Sequence, residues 1–247
     1  LQGKNISQRA KHSHTNRYQT DSFSKETWNE NGNNFEWYNL EERGVGLSRN
    51  NALLRATGNI LLFADDDVRY IDNYEKIIQT EFEKRKDAEL ILFNVESTNK
   101  NRPEYIDQKF HKVHFYNYLR YGTFRIAVKK NSIRKHNISF SLLFGGGSKY
   151  SSGEDSLFLT ECLKKNMKIY ASEQQIGYVD HRESTWFKNY DEKYFYDKGA
   201  LFSAISRRFS MALCLQYCIR HKEVCKELGL KQAYKSMLKG LREYERW

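Results

Sequence analysis

The 247-residue sequence has a single proline, no run of about 18 apolar residues, and no charged stretch followed by an apolar one at its N-terminus. These absences predict a chain without proline-rich linkers, membrane-spanning helices or a signal peptide. It also lacks CxxC pairs, which argues against a cysteine-ligated metal and predicts buried thiols in a cytoplasmic protein. The four cysteines are Cys162, Cys214, Cys218 and Cys225.

Positive charge is in excess, with 41 Lys and Arg against 31 Asp and Glu and a formal net charge of +10. The excess predicts an anionic partner, which could be a phosphate-bearing small molecule, a membrane surface or a nucleic acid. Residues 201–247 carry ten basic and four acidic residues among regularly spaced apolar ones. This pattern predicts one or two amphipathic helices, with either a solvated basic face or a peripheral contact with an anionic membrane at the inner face of the cell membrane.

Predicted strands and helices alternate along the chain. The segments 35–40, 59–64 and 88–95 have the composition of strands, and 47–57 and 71–86 have helical spacing. Segment 59–64 (NILLFA) is continuously apolar, as in a strand buried on both faces of a parallel sheet. The alternation predicts an α/β fold with a mostly parallel sheet flanked by helices, followed by a helical C-terminal region.

Three consecutive aspartates, Asp65, Asp66 and Asp67, follow segment 59–64 directly. In an open parallel sheet, ligands bind beyond the carboxyl ends of the strands, so we expect the triad to face a ligand. Carboxylates at such a position can hold Mg²⁺ or Mn²⁺, and the metal in turn holds a diphosphate. The alternative is that Asp66 or Asp67 merely caps the helix that follows.

A glycine-rich loop precedes a second acidic pair, in FGGGSKYSSGEDSLFL (144–159). Glu154 and Asp155 open a predicted helix, where the helix macrodipole alone favours acidic residues. A glycine loop beside an acidic pair is equally typical of a substrate site with a general base. The three consecutive glycines of this loop are Gly145, Gly146 and Gly147.

His181 follows a predicted strand over 168–179 that is irregular in its middle. Taken by itself, this histidine is either a hydrogen-bonded structural group or a ligand.

Three ordered motifs resemble family 2 glycosyltransferases of the GT-A fold, particularly bacterial ones that build capsular or other surface polysaccharides. They are RGVGLSRNNALLRATGNILLFADDDV, ISFSLLFGGGSKYSSGEDSLFL and HRESTW, within residues 35–187. The resemblance implies an inverting transferase of the hexosyltransferase type. Its donor would be a nucleotide-diphosphate-sugar, and we expect a UDP-sugar. Its acceptor would be a saccharide or a lipid-linked acceptor.

For the donor side, the resemblance makes Asp65 and Asp67 the outer members of a DXD element. Asp67 is then the direct ligand of Mn²⁺ or Mg²⁺, and Asp65 and Asp66 lie nearer the nucleotide sugar, with Asp65 also available to the metal. Arg49 occupies a position from which it would contact the base or diphosphate; the plainer reading is a surface salt bridge.

For the acceptor side, the resemblance makes Asp155 the general base, with Glu154 beside it and the glycine loop 145–147 near the acceptor. His181 matches a histidine that approaches the metal or diphosphate in some relatives.

Residues 1–34 depart from the family pattern, because they contain no apolar strand that would hold a nucleotide base. We therefore predict a divergent or truncated N-terminal part over 1–34, a catalytic core over 35–187 and a basic helical region over 188–247. Two other classes stay open: an inactive glycosyltransferase-like binding subunit, and a basic nucleic-acid-binding module. The second is disfavoured because an aspartate triad repels a phosphate backbone.

Overall fold

The computed structural model describes residues 23–30, 32–41, 43–181 and 189–246. They form two compact units: the first holds the described residues of 23–43, 47–140 and 158–181, and the second holds those of 44–46, 141–157 and 189–246. Residues 1–22 of the predicted N-terminal segment, and 182–186 of the HRESTW motif, lie outside the described part. The predicted division at residues 34 and 187 stays a prediction.

A six-stranded sheet forms the centre of the first unit, in the order β3-β7-β5-β8-β4, with β6 also paired to β8. Its strands are β3 (Ile60–Leu62), β4 (Val68–Tyr70), β5 (Leu90–Ser97), β6 (His111–Lys112), β7 (Ile126–Lys129) and β8 (Ile169–Val179). Strands β5 and β8 pair in parallel, and β7 is antiparallel to both β3 and β5. Strands β3, β5 and β8 therefore run in one direction, and β4, β6 and β7 run in the other.

The predicted α/β class is confirmed, but the prediction of a mostly parallel sheet is wrong for the described strands. Strand β7 lies between β3 and β5 and is antiparallel to both, and β5 with β8 is the one parallel pair among these strands. Segment 59–64 is also not buried on both faces, because β3 is at the end of the strand order and its residues are only partly buried. The irregularity predicted within 168–179 is present as register shifts between β5 and β8.

Strand β5 separates two apolar cores because its side chains alternate between the faces of the sheet. Leu90 and Leu92 enter one core, and Ile91, Phe93 and Val95 enter the other. All five are fully buried. The two helices predicted in this unit are confirmed as α1 (Val45–Arg55) and α2 (Tyr74–Lys84). The first two residues of α1 belong to the second unit. Helix α2 contributes Ile78 and Phe82 to the core that contains Ile91, Phe93 and Val95. A short helix, α3 (Lys130–His136), follows β7.

A separate two-stranded antiparallel sheet forms from β1 (Ser24–Glu30) and β2 (Asn33–Asn39). Strand β2 confirms the strand predicted over 35–40. Strand β1 has the polar sequence SKETWNE and was not predicted, because it contains no apolar run. Trp28 and Phe35 stack across the two strands, with ring centroids 5.2 Å apart.

The second unit is helical. Its helices are α5 (Glu192–Ile205), α6 (Ser210–Arg220) and α7 (Leu230–Glu245), and α4 (Glu154–Lys164) begins in this unit and continues along the chain into the first. Residues 201–247, for which one or two helices were predicted, contain the whole of α6 and α7 and the last residues of α5. Helices α5 and α7 approach closely at two glycines: a Cβ on Gly199 would lie 1.9 Å from the Met237 carbonyl oxygen, and one on Gly240 would lie 1.9 Å from that of Tyr196.

The four cysteines are free and buried, as predicted. Burial raises the pKa of the Cys214 thiol to about 12, so this thiol stays protonated at neutral pH. In the described ranges, no helix has the length and apolar content needed to cross a membrane.

Candidate active site

The aspartate triad lies in the segment that connects β3 to β4. Because β3 and β4 stand at opposite ends of the strand order, residues 63–67 run across the end of the sheet at which β5 and β8 finish. Backbone hydrogen bonds hold this path: Phe63 N–H donates to Ile126 O at 3.2 Å, and Asp180 N–H donates to Asp67 O at 3.0 Å. The triad therefore crosses the carboxyl edge of the sheet, where ligands bind in open α/β sheets.

Arg49, on α1, supplies positive charge to the triad. Its guanidinium donates a hydrogen bond to Asp65 Oδ1 at 2.8 Å, and its Cζ lies 5.4 Å from the centroid of the Phe140 ring. The Arg49 side chain is 15% exposed and that of Asp65 is 37% exposed, so this ion pair is only partly screened by solvent. The salt bridge considered for Arg49 thus exists, and its partner belongs to the triad itself.

The surroundings of Asp67 perturb the ionisation of its carboxyl group. Its pKa is raised, first because burial disfavours the charged carboxylate and then because Asp65 and Asp66 lie nearby, whereas His181 acts in the opposite direction. The cluster is therefore negative enough for a cation to stabilise it, and His181 is close enough to act on Asp67.

His181 is held by Glu104, a residue that the sequence analysis missed. The His181 Nε2 to Glu104 Oε1 distance is 2.8 Å, and Asn99 Nδ2 donates to His181 O at 3.3 Å. Since an ionised carboxylate can only accept, Nε2–H is the donor in this hydrogen bond, and Nδ1 is the ring nitrogen that the bond does not use. A carboxylate behind one ring nitrogen is the arrangement that orients metal-binding histidines. Glu104 lies in a polar connection without periodicity, so no local pattern identified it.

A buried network anchors the chain that carries Glu104. Arg125 is fully buried and donates to Phe93 O and Tyr105 O, both at 2.7 Å, and to Asp107 Oδ2 at 3.1 Å. Tyr121 Oη donates to the other oxygen of Asp107 at 3.0 Å. These bonds fix residues 105–107, which directly follow Glu104.

The described residues suit a metal held jointly with a ligand better than a metal held by protein alone. Among them, no group of three or more His, Cys, Asp or Glu side chains is arranged to hold a metal ion. Asp67 and His181 still offer one carboxylate and one imidazole, which are donors that Mn²⁺ accepts. Mg²⁺ commonly binds to one or two carboxylates and completes its coordination with phosphate oxygens and water.

The glycine loop of the second unit is closed by backbone hydrogen bonds. Gly145 N–H donates to Tyr150 O at 2.9 Å, Val45 N–H donates to Gly146 O at 3.0 Å, and Gly147 has a φ of +80°. At Gly145, where φ is +107°, a Cβ would lie 3.0 Å from a carboxylate oxygen of Glu154. The loop thus passes directly against Glu154.

Asp155 occupies the first turn of α4, as predicted, and a lysine of α5 lies near it. Lys198 is partly buried, and burial lowers the pKa of its ammonium, whereas the negative charges of Asp155 and Asp197 act to raise it. Its Nζ lies 5.5 Å from the Tyr194 ring centroid and 5.7 Å from that of Tyr217. Sequence analysis missed Lys198 because it is one of many basic residues in the C-terminal region.

Asp197, also on α5, fixes the chain just before α4. Its Oδ2 accepts hydrogen bonds from Ser151 N–H at 3.0 Å and Ser151 Oγ at 2.8 Å, and its other oxygen contacts Lys193 Nζ. Asp197 is buried. It therefore links α5 to the loop that leads to Gly153, Glu154 and Asp155.

The structure is similar to that of residues 1–349 of TarS, a glycosyltransferase of S. aureus, in complex with UDP-GlcNAc. The TM-score is 0.55 at 15% sequence identity, over 87% of this chain and 76% of that one. The same TarS segment with UDP gives a TM-score of 0.54 at 16% identity with the same coverage. Another TarS structure gives 0.53 at 15% identity, over 86% of this chain and 44% of that one.

At this level of identity the likeness concerns the fold, which is that of a glycosyltransferase structure. No protein-family model and no curated protein matches the sequence. The more specific resemblance to family 2 enzymes of surface polysaccharide synthesis stays a prediction.

Proposed function

We propose that this chain is a glycosyltransferase that moves a sugar from a nucleotide-diphosphate-sugar to a saccharide or lipid-linked acceptor. The observation that carries the proposal is the path of Asp65, Asp66 and Asp67 across the carboxyl edge of the sheet, in a chain with a glycosyltransferase fold. A UDP-sugar is the donor class to test first, since the TarS structure with this fold holds UDP-GlcNAc. Synthesis of a bacterial surface polysaccharide, as in family 2 enzymes, is the setting that the sequence motifs favour.

On the donor side, Arg49 would bind the diphosphate, and the triad would hold the metal together with His181. The ion pair with Asp65 holds the Arg49 guanidinium beside the triad, where its planar set of N–H donors suits a diphosphate. Asp67 and His181 would hold Mn²⁺ or Mg²⁺, with Glu104 orienting the imidazole. When bound, the divalent ion supplies positive charge that stabilises the leaving diphosphate.

On the acceptor side, we assign the general base to Asp155. As the acceptor oxygen forms its bond to the anomeric carbon, the bond from that carbon to the diphosphate oxygen breaks, and the hydroxyl proton moves to an Asp155 carboxylate oxygen. One direct displacement of this kind inverts the anomeric configuration. Lys198 holds positive charge near Asp155, which favours the ionised carboxylate that a base requires. Glu154 supports the glycine loop 145–147 that we place near the acceptor.

Donor binding is tested by the shift in melting temperature on adding UDP or UDP-sugars, with and without Mn²⁺. We expect a Mn²⁺-dependent rise for the wild type and none for Asp67→Asn, whereas Asp72→Asn, which alters an exposed aspartate after β4, should behave as the wild type. Absence of any nucleotide shift in the full-length protein would favour the inactive binding subunit. Stabilisation by oligonucleotides instead would favour the nucleic-acid module.

The base assignment is tested with Asp155→Asn. Loss of a general base should lower kcat by about 10²- to 10⁴-fold while nucleotide and Mn²⁺ affinities stay unchanged. If Asp155 only stabilises the N-terminus of α4, the variant should lose about 0.5–1 kcal/mol of stability with near-normal kcat, and Asp155 would then be removed from the mechanism.

A further inference from the structure

Helix α6 exposes a continuous apolar stripe, defined here as Met211, Leu215 and Ile219. The three side chains are 55%, 50% and 57% exposed. They are spaced four residues apart, so they lie along one side of the helix. Exposed large apolar side chains are ordinary when scattered singly, but a contiguous row marks an interaction surface.

The inward side of α6 is packed within its own unit, so the stripe is not a consequence of a loosely placed helix. Cys214 and Cys218 are buried, and Cys218 Sγ lies 3.6 Å from Met237 Sδ on α7. Tyr217 packs against Phe202 of α5, with ring centroids 5.8 Å apart. The helix is therefore anchored on one side and presents the stripe on the other.

Basic residues stand at both ends of the stripe. Arg208 precedes α6, Arg220 ends it and Lys222 follows it, and all three are exposed. Phe209, at the N-cap next to Arg208, is also exposed, at 58%. The exposed α6 residues between these ends carry no charge; they are Met211, Ala212, Leu215, Gln216 and Ile219.

We propose that α6 docks the protein on an anionic phospholipid membrane, with the stripe inserted among the acyl chains and Arg208, Arg220 and Lys222 against the head groups. An apolar face bounded by Lys and Arg is the pattern of helices that lie in the membrane interface. At 11 residues, α6 is roughly 16 Å long, about half the hydrocarbon thickness, so it can lie in this interface and cannot cross it. The proposal is independent of the proposed transferase activity.

A second copy of the chain fits the stripe less well than a membrane does. Four half-exposed side chains, counting Phe209, offer far less than the roughly 800 Å² per partner of a stable protein interface. Two stripes brought together would also bring together two sets of basic residues, in a chain whose net charge is already +10. Anionic head groups instead complement that charge.

The test is co-sedimentation of the full chain with vesicles of phosphatidylcholine alone, or with about one-third phosphatidylglycerol. We expect binding only to the anionic vesicles, weakened about tenfold or more by Leu215→Gln/Ile219→Gln, since two apolar side chains no longer insert. Leu54→Gln/Leu230→Gln is the matched control, because these leucines are also exposed, at 79% and 46%. It should bind as the wild type.

The charge contribution is tested with Arg220→Gln/Lys222→Gln against Lys164→Gln/Lys165→Gln. Both pairs remove two exposed positive charges, so only the first should weaken binding if the contact is local to α6.

A third readout does not depend on the stability of the glutamine variants. An environment-sensitive fluorophore on Leu215→Cys should shift to the blue on adding anionic vesicles, and one on Leu230→Cys should not. Equal loss of binding in both charge variants, or equal shifts at both labelled positions, would overturn the proposal. So would a dimer in vesicle-free solution that Leu215→Gln/Ile219→Gln dissociates, because a second copy would then cover the stripe.

Discussion

Replacing Arg125 should show how strongly the chain that carries Glu104 depends on one buried cation. In Arg125→Met, four acceptors lose a donor: Phe93 O, Tyr105 O, Asn94 Oδ1 and Asp107 Oδ2. The fully buried carboxylate of Asp107 also loses its counter-charge. Removing one partner of a buried ion pair costs about 3–5 kcal/mol. That is a large part of the roughly 5–15 kcal/mol by which a domain is stable.

The expected result is a melting temperature lowered by about 10 °C, at about 2–4 °C per kcal/mol for a chain of this length. It is measured by circular dichroism, with urea unfolding for the free energy. The matched control is Arg120→Met: Arg120 is exposed, with its Cζ 4.3 Å from the Tyr105 ring centroid, and its loss should change stability by about 1 kcal/mol or less.

A double variant separates the uncompensated charge from lost packing. Arg125→Met/Asp107→Asn removes both charges, while the amide oxygen can still accept from Tyr121 Oη. We expect it to recover at least half of the stability that Arg125→Met loses, because the buried unpaired carboxylate is gone. The reasoning is refuted if Arg125→Met melts within about 3 °C of the wild type, or if the second substitution adds its own full loss to the first.

Three further outcomes are expected. Burial acts to raise the pKa of Glu89, but the Lys168 N–H and His136 hold it below its ordinary value. Ionised Glu89 therefore stabilises the fold above the unfolded-state pKa, so Glu89→Gln should lower the melting temperature at pH 7, and the difference should shrink as pH falls below 4.5. Gly153→Ala should lose about 1–3 kcal/mol in urea unfolding, because φ is +113° there and the new Cβ would meet a Leu201 methyl group at 2.7 Å. Glu104→Gln should weaken Mn²⁺-dependent UDP binding about 10- to 100-fold by calorimetry, with little change in melting temperature.

A specific outcome would contradict each of these predictions. An unchanged Glu89→Gln difference at acidic pH would contradict the linkage argument. Gly32→Ala has a φ of +78° but no atom within 4 Å of the new Cβ, so it should lose less than Gly153→Ala. Equal losses would show that the contact with Leu201 does not matter. For Glu104→Gln, equal weakening of UDP binding without Mn²⁺ would contradict the role in orienting His181.

Local sequence pattern was enough to identify a helix that buries one side and a strand that is buried on both faces. The spacing of Ile77, Ile78 and Phe82 predicted α2, and the apolar run over 88–95 predicted β5. Strand β1 was missed because its sequence is polar and it is held by pairing with β2. Periodicity reports which side of an element is buried and is blind to a strand whose support comes from its neighbour.

Some residues of the candidate site could be predicted from the sequence, and their partners could not. Residue type and position relative to a strand or helix end were enough to select Asp67 and Asp155 as candidates. The pairing of Arg49 with Asp65 and of Glu104 with His181 could not be predicted in this way. The members of the first pair are 16 residues apart along the chain, and those of the second are 77 residues apart. Sequence spacing carries no information on such pairs.

The sequence by itself determined the α/β class, the position of the acidic motifs at element ends, and the burial of the four thiols, since each depends on residue type and neighbours along the chain. The tertiary structure alone decided that β3 and β4 stand at opposite ends of the strand order, so that the triad crosses the whole carboxyl edge of the sheet. It also decided that Arg49 pairs with Asp65. It also decided that α6 presents an apolar side outward. Strand order, buried ion pairs and exposed faces depend on which distant segments pack together, and that choice is made by the free energy of the whole fold.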